Sequence, residues 1–196
     1  MLRVIILFFM VFAFSSCQED AVYIPKPHAY PKITFPIKKY VSFAKAGSPY
    51  QFEYPAYAKM IQNKDFMGKD VPNDFWYDMF FPDFDAKIHL TYYKVKDRTH
   101  YDKLISDVYR MTNEHTQKAN YINEVPMKKE GSFKGKLFDI SGPAATPLEF
   151  YLTDETKHFI RGSLYLNTKV RPDSLVPIYD FLKRDAIHII NTLEWK

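Results

Sequence analysis

Apolar and polar side chains alternate in several short stretches of the chain, and this period of two is typical of strands with one buried face. Residues 50–54 (YQFEY) and 87–92 (KIHLTY) show the alternation. It returns at residues 148–152 and 159–166, which are separated by the polar stretch TDETK. Two strand patterns joined by a short polar turn predict an antiparallel hairpin.

Two longer stretches repeat apolar residues every three or four positions, as the buried face of a helix does. The first covers residues 101–115, and Thr99 with Asp102 three positions later resembles a capping box at its start. Because proline is tolerated best in the first turn of a helix, Pro177 predicts that the second helix starts near Ser174. Its apolar stripe consists of Leu175, Ile178, Leu182, Ala186, Ile189 and Leu193, with Tyr179 and Ile190 at the edge.

Strand patterns on both sides of one helix, followed by a closing helix, predict an α+β fold. We expect an antiparallel sheet packed with helices, one of them a long C-terminal helix. The order of elements is similar to that of the PsbP/Mog1-like fold. With 196 residues, of which 46% are hydrophobic and 17% aromatic, the chain is long enough for one globular domain, predicted at residues 33–196.

The balance of charges argues against one class of partner. The formal net charge is +4, from 27 basic and 23 acidic residues, and the sequence contains no block of five or six like charges. Nucleic-acid-binding arms are typically built from such basic blocks. We therefore expect no nucleic acid as a partner.

The N-terminus has the pattern of a secretory signal peptide, predicted at residues 1–16. A short basic start, Met1 to Arg3, precedes the apolar run VIILFFMVFAF and the small residues Ser15 and Ser16. A run of about 7 to 15 apolar residues is typical of such signals. A bilayer span needs about 20, so this run is too short to cross a membrane.

Cys17 is the one cysteine of the chain, and three roles compete for it. Its neighbours are serines, a glutamine and two acids, which offer no core for a buried thiol. A metal site needs three or four ligands, and there is no second cysteine. The stretch resembles a bacterial lipobox, in which the thiol receives a diacylglycerol, the signal is removed and the new amino terminus is acylated. We therefore predict that Cys17 is lipidated and that acyl chains attach the domain to a membrane.

Residues 17–32 are predicted to form the lipidated start and a proline-rich tether. Prolines at positions 25, 27 and 31 favour an extended chain. Gln18, Glu19 and Asp20 are similar to surface-export signals of Bacteroidetes lipoproteins, but they also suit an ordinary solvated linker. The predicted location is the cell envelope, with the cell surface, the periplasmic leaflet of the outer membrane and the inner membrane all open.

The sequence contains no pattern of a common catalytic site. There is no G-x-S-x-G, no Gly-rich phosphate loop and no H-E-x-x-H. Asp83, Asp85 and His89 are the nearest approach to an acid/base or metal-ligating cluster, and we interpret them as a turn followed by a strand. We predict no enzymatic activity, no cofactor and no metal site.

The densest aromatic stretch, residues 75–84 (FWYDMFFPDF), has two interpretations. Aromatic faces can stack on sugars, so the stretch could form a glycan-binding surface. Large rings more commonly supply the core of a small domain, and we favour that interpretation.

Phe181, His188 and Trp195 recur every seven residues, on the side of the predicted C-terminal helix nearly opposite the core stripe. The rings are either covered by the proline-rich N-terminal segment or exposed. Exposed, they have the composition of a protein-binding hot spot, because rings bury much area at little entropic cost. These three residues are therefore candidates for binding a partner.

Several long stretches together resemble the GldD gliding-motility lipoproteins of Bacteroidetes. Beside the lipobox, these are PKPHAYPKITFP, QFEYPAYA, FPDFDAKIHLTY, FYLTDETKHFIRGSLYLNT and PDSLVPIYDFLKRDAIHIINTLEW. The resemblance implies an acylated (palmitate-bearing) envelope lipoprotein required for gliding, with a machinery tied to type IX secretion. It implies no assigned reaction, and Cys17 is the one functional residue carried over. The implied partners are the membrane, through the lipid, and other gliding or secretion proteins of the envelope.

Two classes of function follow. The leading hypothesis is a non-enzymatic assembly or scaffold component, and the alternative is a periplasmic or surface module that binds a glycan or another small ligand. A deep pocket lined by Trp76 and Tyr77 would favour the binding module, and a flat exposed apolar patch would favour the scaffold.

Overall fold

The structure is a computed structural model, and it describes residues 32–66, 68–144, 146–167 and 172–196. The predicted signal peptide, Cys17 and the predicted tether up to residue 31 lie outside the described residues. The described residues form twelve strands and two α-helices. The strands are β1 Tyr40–Phe43, β2 Tyr50–Pro55, β3 Lys59–Gln62, β4 Asp65–Phe66, β5 Lys69–Asp70, β6 Tyr77–Phe81, β7 Ala86–Lys94, β8 Tyr121–Lys129, β9 Phe133–Ser141, β10 Leu148–Thr153, β11 His158–Leu166 and β12 Glu194–Trp195. The helices are α1 Arg98–Glu114 and α2 Pro172–Thr192.

Seven strands form one antiparallel sheet in the order β3-β6-β7-β11-β10-β9-β8. Strands β1, β2 and β12 form a small second sheet, and β4 pairs with β5. Strands β10 and β11 form the predicted hairpin, which is confirmed. At its turn one carboxylate oxygen of Asp154 accepts hydrogen bonds from the backbone N–H groups of Thr156, Lys157 and His158, at 3.0, 2.7 and 2.8 Å. The predicted α+β class is confirmed as well.

The inner face of the large sheet packs against α2 and the small sheet, and together they form the main hydrophobic core. Except for Leu175, the predicted stripe of α2 points into this core, and its fully buried members are Leu182, Ala186, Ile189 and Leu193. Gly162 of β11 leaves room for the ring of Phe150 on β10, since a Cβ at position 162 would lie 2.2 Å from that ring. A side chain at this position would therefore displace a core ring.

The outer face of the large sheet is covered in part by α1, which forms a second core over β9, β10 and β11. Leu104 and Val108 of α1 are buried there with Phe138 and Tyr151 of the sheet. Because one helix lies on each face, every residue of β10 is buried. The alternation at residues 148–152 predicts one exposed face for this strand, and that prediction is wrong.

The start of α1 also differs from the prediction. Asp97 caps the helix, because its carboxylate accepts a 2.8 Å hydrogen bond from the backbone N–H of His100. Thr99 is already inside the helix, so the capping box predicted with Asp102 is wrong. Asp102 instead forms an ion pair with Arg98, one turn earlier, at 3.0 Å.

Helix α2 begins at Pro172, two residues before the predicted start near Ser174. Pro177 therefore lies inside the helix, and the prediction that it lies in the first turn is wrong. The helix tolerates the missing backbone donor at this position. After α2 ends at Thr192, the chain pairs Trp195 with Tyr50 in the small sheet.

Candidate functional site

Phe181 of α2 is covered by the segment that precedes β1. Its side chain is 5% exposed, and its ring stacks on that of Phe35 with 4.7 Å between centroids. The ammonium group of Lys38 lies 3.8 Å from the Phe181 centroid. Phe84 packs beside the same pair. Of the two arrangements that the sequence leaves open, the structure has the one in which the N-terminal segment covers this ring.

Asp185 lies one turn after Phe181 on the same side of α2 and is 0% exposed. Its carboxylate forms an ion pair with Lys38 and accepts hydrogen bonds from the hydroxyls of Tyr40, at 2.9 Å, and Tyr57, at 2.5 Å. Burial, together with the hydrogen bond to Asp185, raises the pKa of Tyr40 to about 12 and raises the pKa of Tyr57 well above its ordinary value. Both phenols therefore stay protonated and donate to the carboxylate, so the buried charge is fully paired.

The other two candidate residues have separate surroundings. The ring of His188 stacks on Tyr40 with 3.6 Å between centroids, and its Nε2 lies 2.8 Å from a carboxylate oxygen of Glu53. Trp195 lies in β12, beyond the end of α2, and its indole N–H donates to the carbonyl of Ser132 at 3.1 Å. Phe181, His188 and Trp195 therefore do not form one exposed row on a helix, and their role in binding a partner stays a prediction.

Asp185 ties these elements together, and it is not one of the candidate residues that the sequence predicts. One feature of the sequence indicates its position, since residues 181, 185 and 188 follow the helical spacing of four and three residues and so share one side of the helix. A carboxylate at the middle position of an aromatic stripe needs a cation or donors once the stripe is covered. Lys38, in the segment predicted to cover the stripe, supplies the cation.

The residues Asp83, Asp85 and His89 lie in a turn followed by a strand, as interpreted. Pro82–Phe84 forms a single 3-10 turn, and Asp85 closes it with a positive φ of 43°. The Asp85 carboxylate accepts a 3.0 Å hydrogen bond from the side-chain amide of Asn167. His89 lies in β7 and is paired through Nδ1 with Asp78 of β6.

Polar residues form a row across the outer face of the large sheet. Strand register places Asp78, His89, Ser163 and Glu149 side by side on four adjacent strands. An Asp-His-Ser sequence of neighbours has the residue types of a nucleophilic triad. However, Ser163 is 3% exposed and its hydroxyl donates to Glu149, at 3.4 Å. The hydroxyl is therefore engaged in the interior and not presented to a substrate.

Glu149 lies at the centre of a buried polar network beneath α1. It is 1% exposed and accepts hydrogen bonds from Arg161, at 2.6 Å, and from the hydroxyl of Thr112, at 2.8 Å. His115, just after α1, lies 3.5 Å away. Burial acts to raise the pKa of Glu149, but the hydrogen bond from His115 and the charge of Arg161 outweigh it, so this pKa lies below its ordinary value. The ionised carboxylate thus holds α1 to the sheet.

The aromatic stretch at residues 75–84 belongs mainly to the core, which is the interpretation that the sequence favours over a sugar-binding surface. Trp76, Tyr77, Phe81 and Phe84 are buried, and the indole N–H of Trp76 donates to the carbonyl of Tyr92 at 3.0 Å. Trp76 and Tyr77 therefore do not offer open faces for a sugar.

Among the described residues, no group of three or more His, Cys, Asp or Glu side chains is placed to hold a metal ion. Neither helix of the described chain is both long and apolar enough to cross a membrane.

The chain is similar to a protein family and to solved structures. The family model described as gliding motility lipoprotein GldD matches residues 20–195. No curated protein sequence matches the chain. The fold is similar to the solution structure of cyanobacterial PsbP (CyanoP) from Synechocystis sp. PCC 6803, with a TM-score of 0.49 and 11% identity, over 85% of this chain and 98% of that one. Because the family match covers nearly the whole chain beyond the predicted lipobox, the chain belongs to the GldD family of gliding-motility lipoproteins.

Proposed function

We propose that this lipoprotein is a non-enzymatic assembly or scaffold component of the gliding machinery, in an envelope system linked to type IX secretion. The observation that carries the proposal is the family match, which begins at residue 20, three positions after Cys17. Residues 1–16 would be the removed signal, residues 17–32 the lipidated tether and residues 33–196 the working domain. The lipid on Cys17 would hold this domain at a membrane surface, where other envelope proteins are its partners.

The attachment of the N-terminal segment to the domain supports this proposal. Phe35 and Lys38 pack on α2, and Tyr40 begins the strand that pairs with β2. The chain that leads to Cys17 therefore joins the domain through buried contacts with the C-terminal helix. The covalent chain keeps the domain near the membrane, and these contacts fix the point on the domain from which the tether leaves.

The side chains closest to a catalytic arrangement support the non-enzymatic part of the proposal. The hydroxyl of Ser163 donates a hydrogen bond to Glu149, and both residues are buried. His89 is in contact with the carboxylate of Asp78 through its Nδ1. These contacts account for the polar row as a structural element of the sheet.

Anchoring is tested with Cys17→Ala in cells that lack the native gene. The variant should appear as uncleaved precursor or soluble protein, and gliding should be lost, because the acyl chains supply the attachment. Cys17→Ser is the matched control for side-chain size and should behave in the same way. Normal processing and membrane retention of either variant would contradict lipidation at this residue.

The scaffold role is tested by crosslinking in gliding cells, followed by identification of the captured proteins. Gliding or secretion components of the envelope should be captured by the anchored protein and not by the Cys17→Ala variant. Protease treatment of intact cells then distinguishes the cell surface from the periplasmic leaflet. Capture of no envelope protein by a gliding-competent chain would contradict the scaffold role.

A further inference from the structure

Helix α1 covers only one part of the outer face of the large sheet. Its contacts involve β9, β10 and β11, together with Tyr93 of β7 and Val95 just after that strand. Beyond it, toward the edge strand β3, described residues of β3, β6, β7 and β11 line a cavity of about 460 Å³. None of the residues that line this cavity belongs to the core beneath α1. The cavity is therefore a separate feature of the outer face.

Two aromatic rings and a lysine lie next to one another in this cavity. Strand register places Phe80 of β6 opposite Lys87 of β7, and Lys87 opposite Tyr165 of β11. All three side chains line the cavity and are partly exposed. Ile61 of β3, 48% exposed, completes an apolar border at the sheet edge.

Polar groups surround these rings. Asp78 accepts a 2.6 Å hydrogen bond from the side-chain amide of Asn63 and lies 3.5 Å from the ammonium of Lys87. At the other end of the cavity the side-chain amide of Asn167 donates a hydrogen bond to the carboxylate of Asp85. Carboxylate, amide and ammonium groups are thus present around one apolar floor, and the charged groups have both signs.

We propose that this cavity binds an uncharged saccharide of one or two sugar units. The apolar C–H face of a sugar ring can stack on Phe80 or Tyr165, and its hydroxyls can bond to carboxylate, amide and ammonium groups. The mixed signs of charge disfavour a strongly charged ligand, which would meet repulsion at one end of the site. The volume falls in the range of about 300 to 1,000 Å³ that is typical of small-ligand sites.

This proposal is independent of the role in motility, and it differs from the sugar surface considered for Trp76 and Tyr77. Phe80 belongs to the same aromatic stretch, but it points to the outer face, while Tyr77 and Phe81 point to the core. Because successive side chains of a strand point to opposite faces, Phe80 lies at the cavity while its neighbours in the stretch lie in the core.

Saturation-transfer NMR on the full-length lipoprotein, in a detergent without a sugar headgroup, tests the proposal. The probes are maltose, cellobiose and N,N′-diacetylchitobiose. At least one should receive saturation, and Tyr165→Ala and Phe80→Ala should each weaken its binding about tenfold through the lost stacking. Lys87→Gln should weaken it about threefold through the lost ammonium. Because the Lys87 side chain is 41% exposed and lies outside the core, this variant remains a test if a ring variant fails to fold.

Tyr121→Ala is the matched control, since Tyr121 is a 65% exposed ring outside the cavity, and its loss should leave binding unchanged. Amylose, cellulose and chitin beads distinguish the source of the sugar. Retention on beads that is lost in Tyr165→Ala identifies a glycan chain, whereas binding of the disaccharide without retention identifies a free sugar. Absence of saturation transfer to all three probes would overturn the proposal. It would also be overturned if the Lys87→Gln and Tyr165→Ala variants both bound the sugar as well as the unaltered protein does.

Discussion

Lys38 and Asp185 are 147 positions apart in the sequence, and their side chains form an ion pair in which the carboxylate has no exposed surface. Lys38 belongs to the segment that precedes the first strand, and Asp185 to the last helix. Their pairing therefore links the two ends of the domain, and it does so with a charge that cannot be hydrated where it lies.

Replacing Lys38 with Met should destabilise the domain strongly. The variant leaves the Asp185 carboxylate buried without its cation, and breaking a buried pair in this way costs about 3–5 kcal/mol. The two tyrosine hydroxyls still donate to it, which places the expected loss at the lower end of that range. Urea unfolding measures the change. Lys39→Met is the matched control, because Lys39 is exposed, and it should change stability by less than about 0.5 kcal/mol. Equal stability of both variants would contradict the importance of this pair.

Replacing Phe181 with Ala should lower the free energy of unfolding by about 3–5 kcal/mol, because a buried ring in contact with Phe35 and Lys38 is removed. Val176→Ala, at an exposed position of the same helix, should have little effect. Gliding assays on the same strains test the other interpretation. Loss of gliding by Phe181→Ala combined with Trp195→Ala, at unchanged melting temperature, would instead support a partner-binding role.

Stability should fall as the pH drops below about 4.5, and Glu149 should contribute to this. Its pKa is lower in the folded protein than in the unfolded chain, where the ordinary value is 4.5. The stabilisation is therefore complete above that pH and is lost as the pH falls through the folded-state pKa. Arg161 and His115 are the charged or titratable groups that face it. Asp78 and Asp154, whose pKa values are also lowered, act in the same direction.

The variant Glu149→Gln isolates the contribution of this carboxylate. Urea unfolding between pH 6 and pH 3 should show a smaller loss of stability with acid in the variant than in the unaltered protein. At pH 6 the variant should be less stable, because Arg161 then lacks its anion. An identical pH dependence in both proteins would show that other carboxylates account for it.

Chelator and reductant should leave the melting temperature unchanged. Cys17 is the one cysteine, so the chain forms no internal disulfide, and the described residues contain no grouping of three metal ligands. Thermal unfolding with and without EDTA, and with and without dithiothreitol, measures this. A fall of several degrees with EDTA would reveal a metal that stabilises the fold.

The sequence by itself determined the local elements, because their signals lie within a few residues of one another. Alternation identified β2, β7 and the β10–β11 hairpin, and the apolar stripe identified α2. The exact starts of the helices depended on single contacts. Asp97 caps α1 in place of Thr99, since its carboxylate is the one that reaches a free backbone N–H.

The tertiary structure alone decided which faces are covered and which charges meet. Position 149 looks like the exposed side of an alternating strand, but α1 buries it with Arg161, whose side chain comes from the next strand. Phe80 and Phe81 are adjacent rings on opposite faces of β6, and only the packing of the sheet decided that Phe81 lies in the core and Phe80 at a cavity. Lys38 reaches Asp185 because the N-terminal segment crosses the last helix. Such pairings join residues far apart along the chain, and they arise when the buried faces of helices and sheets are packed together to exclude water.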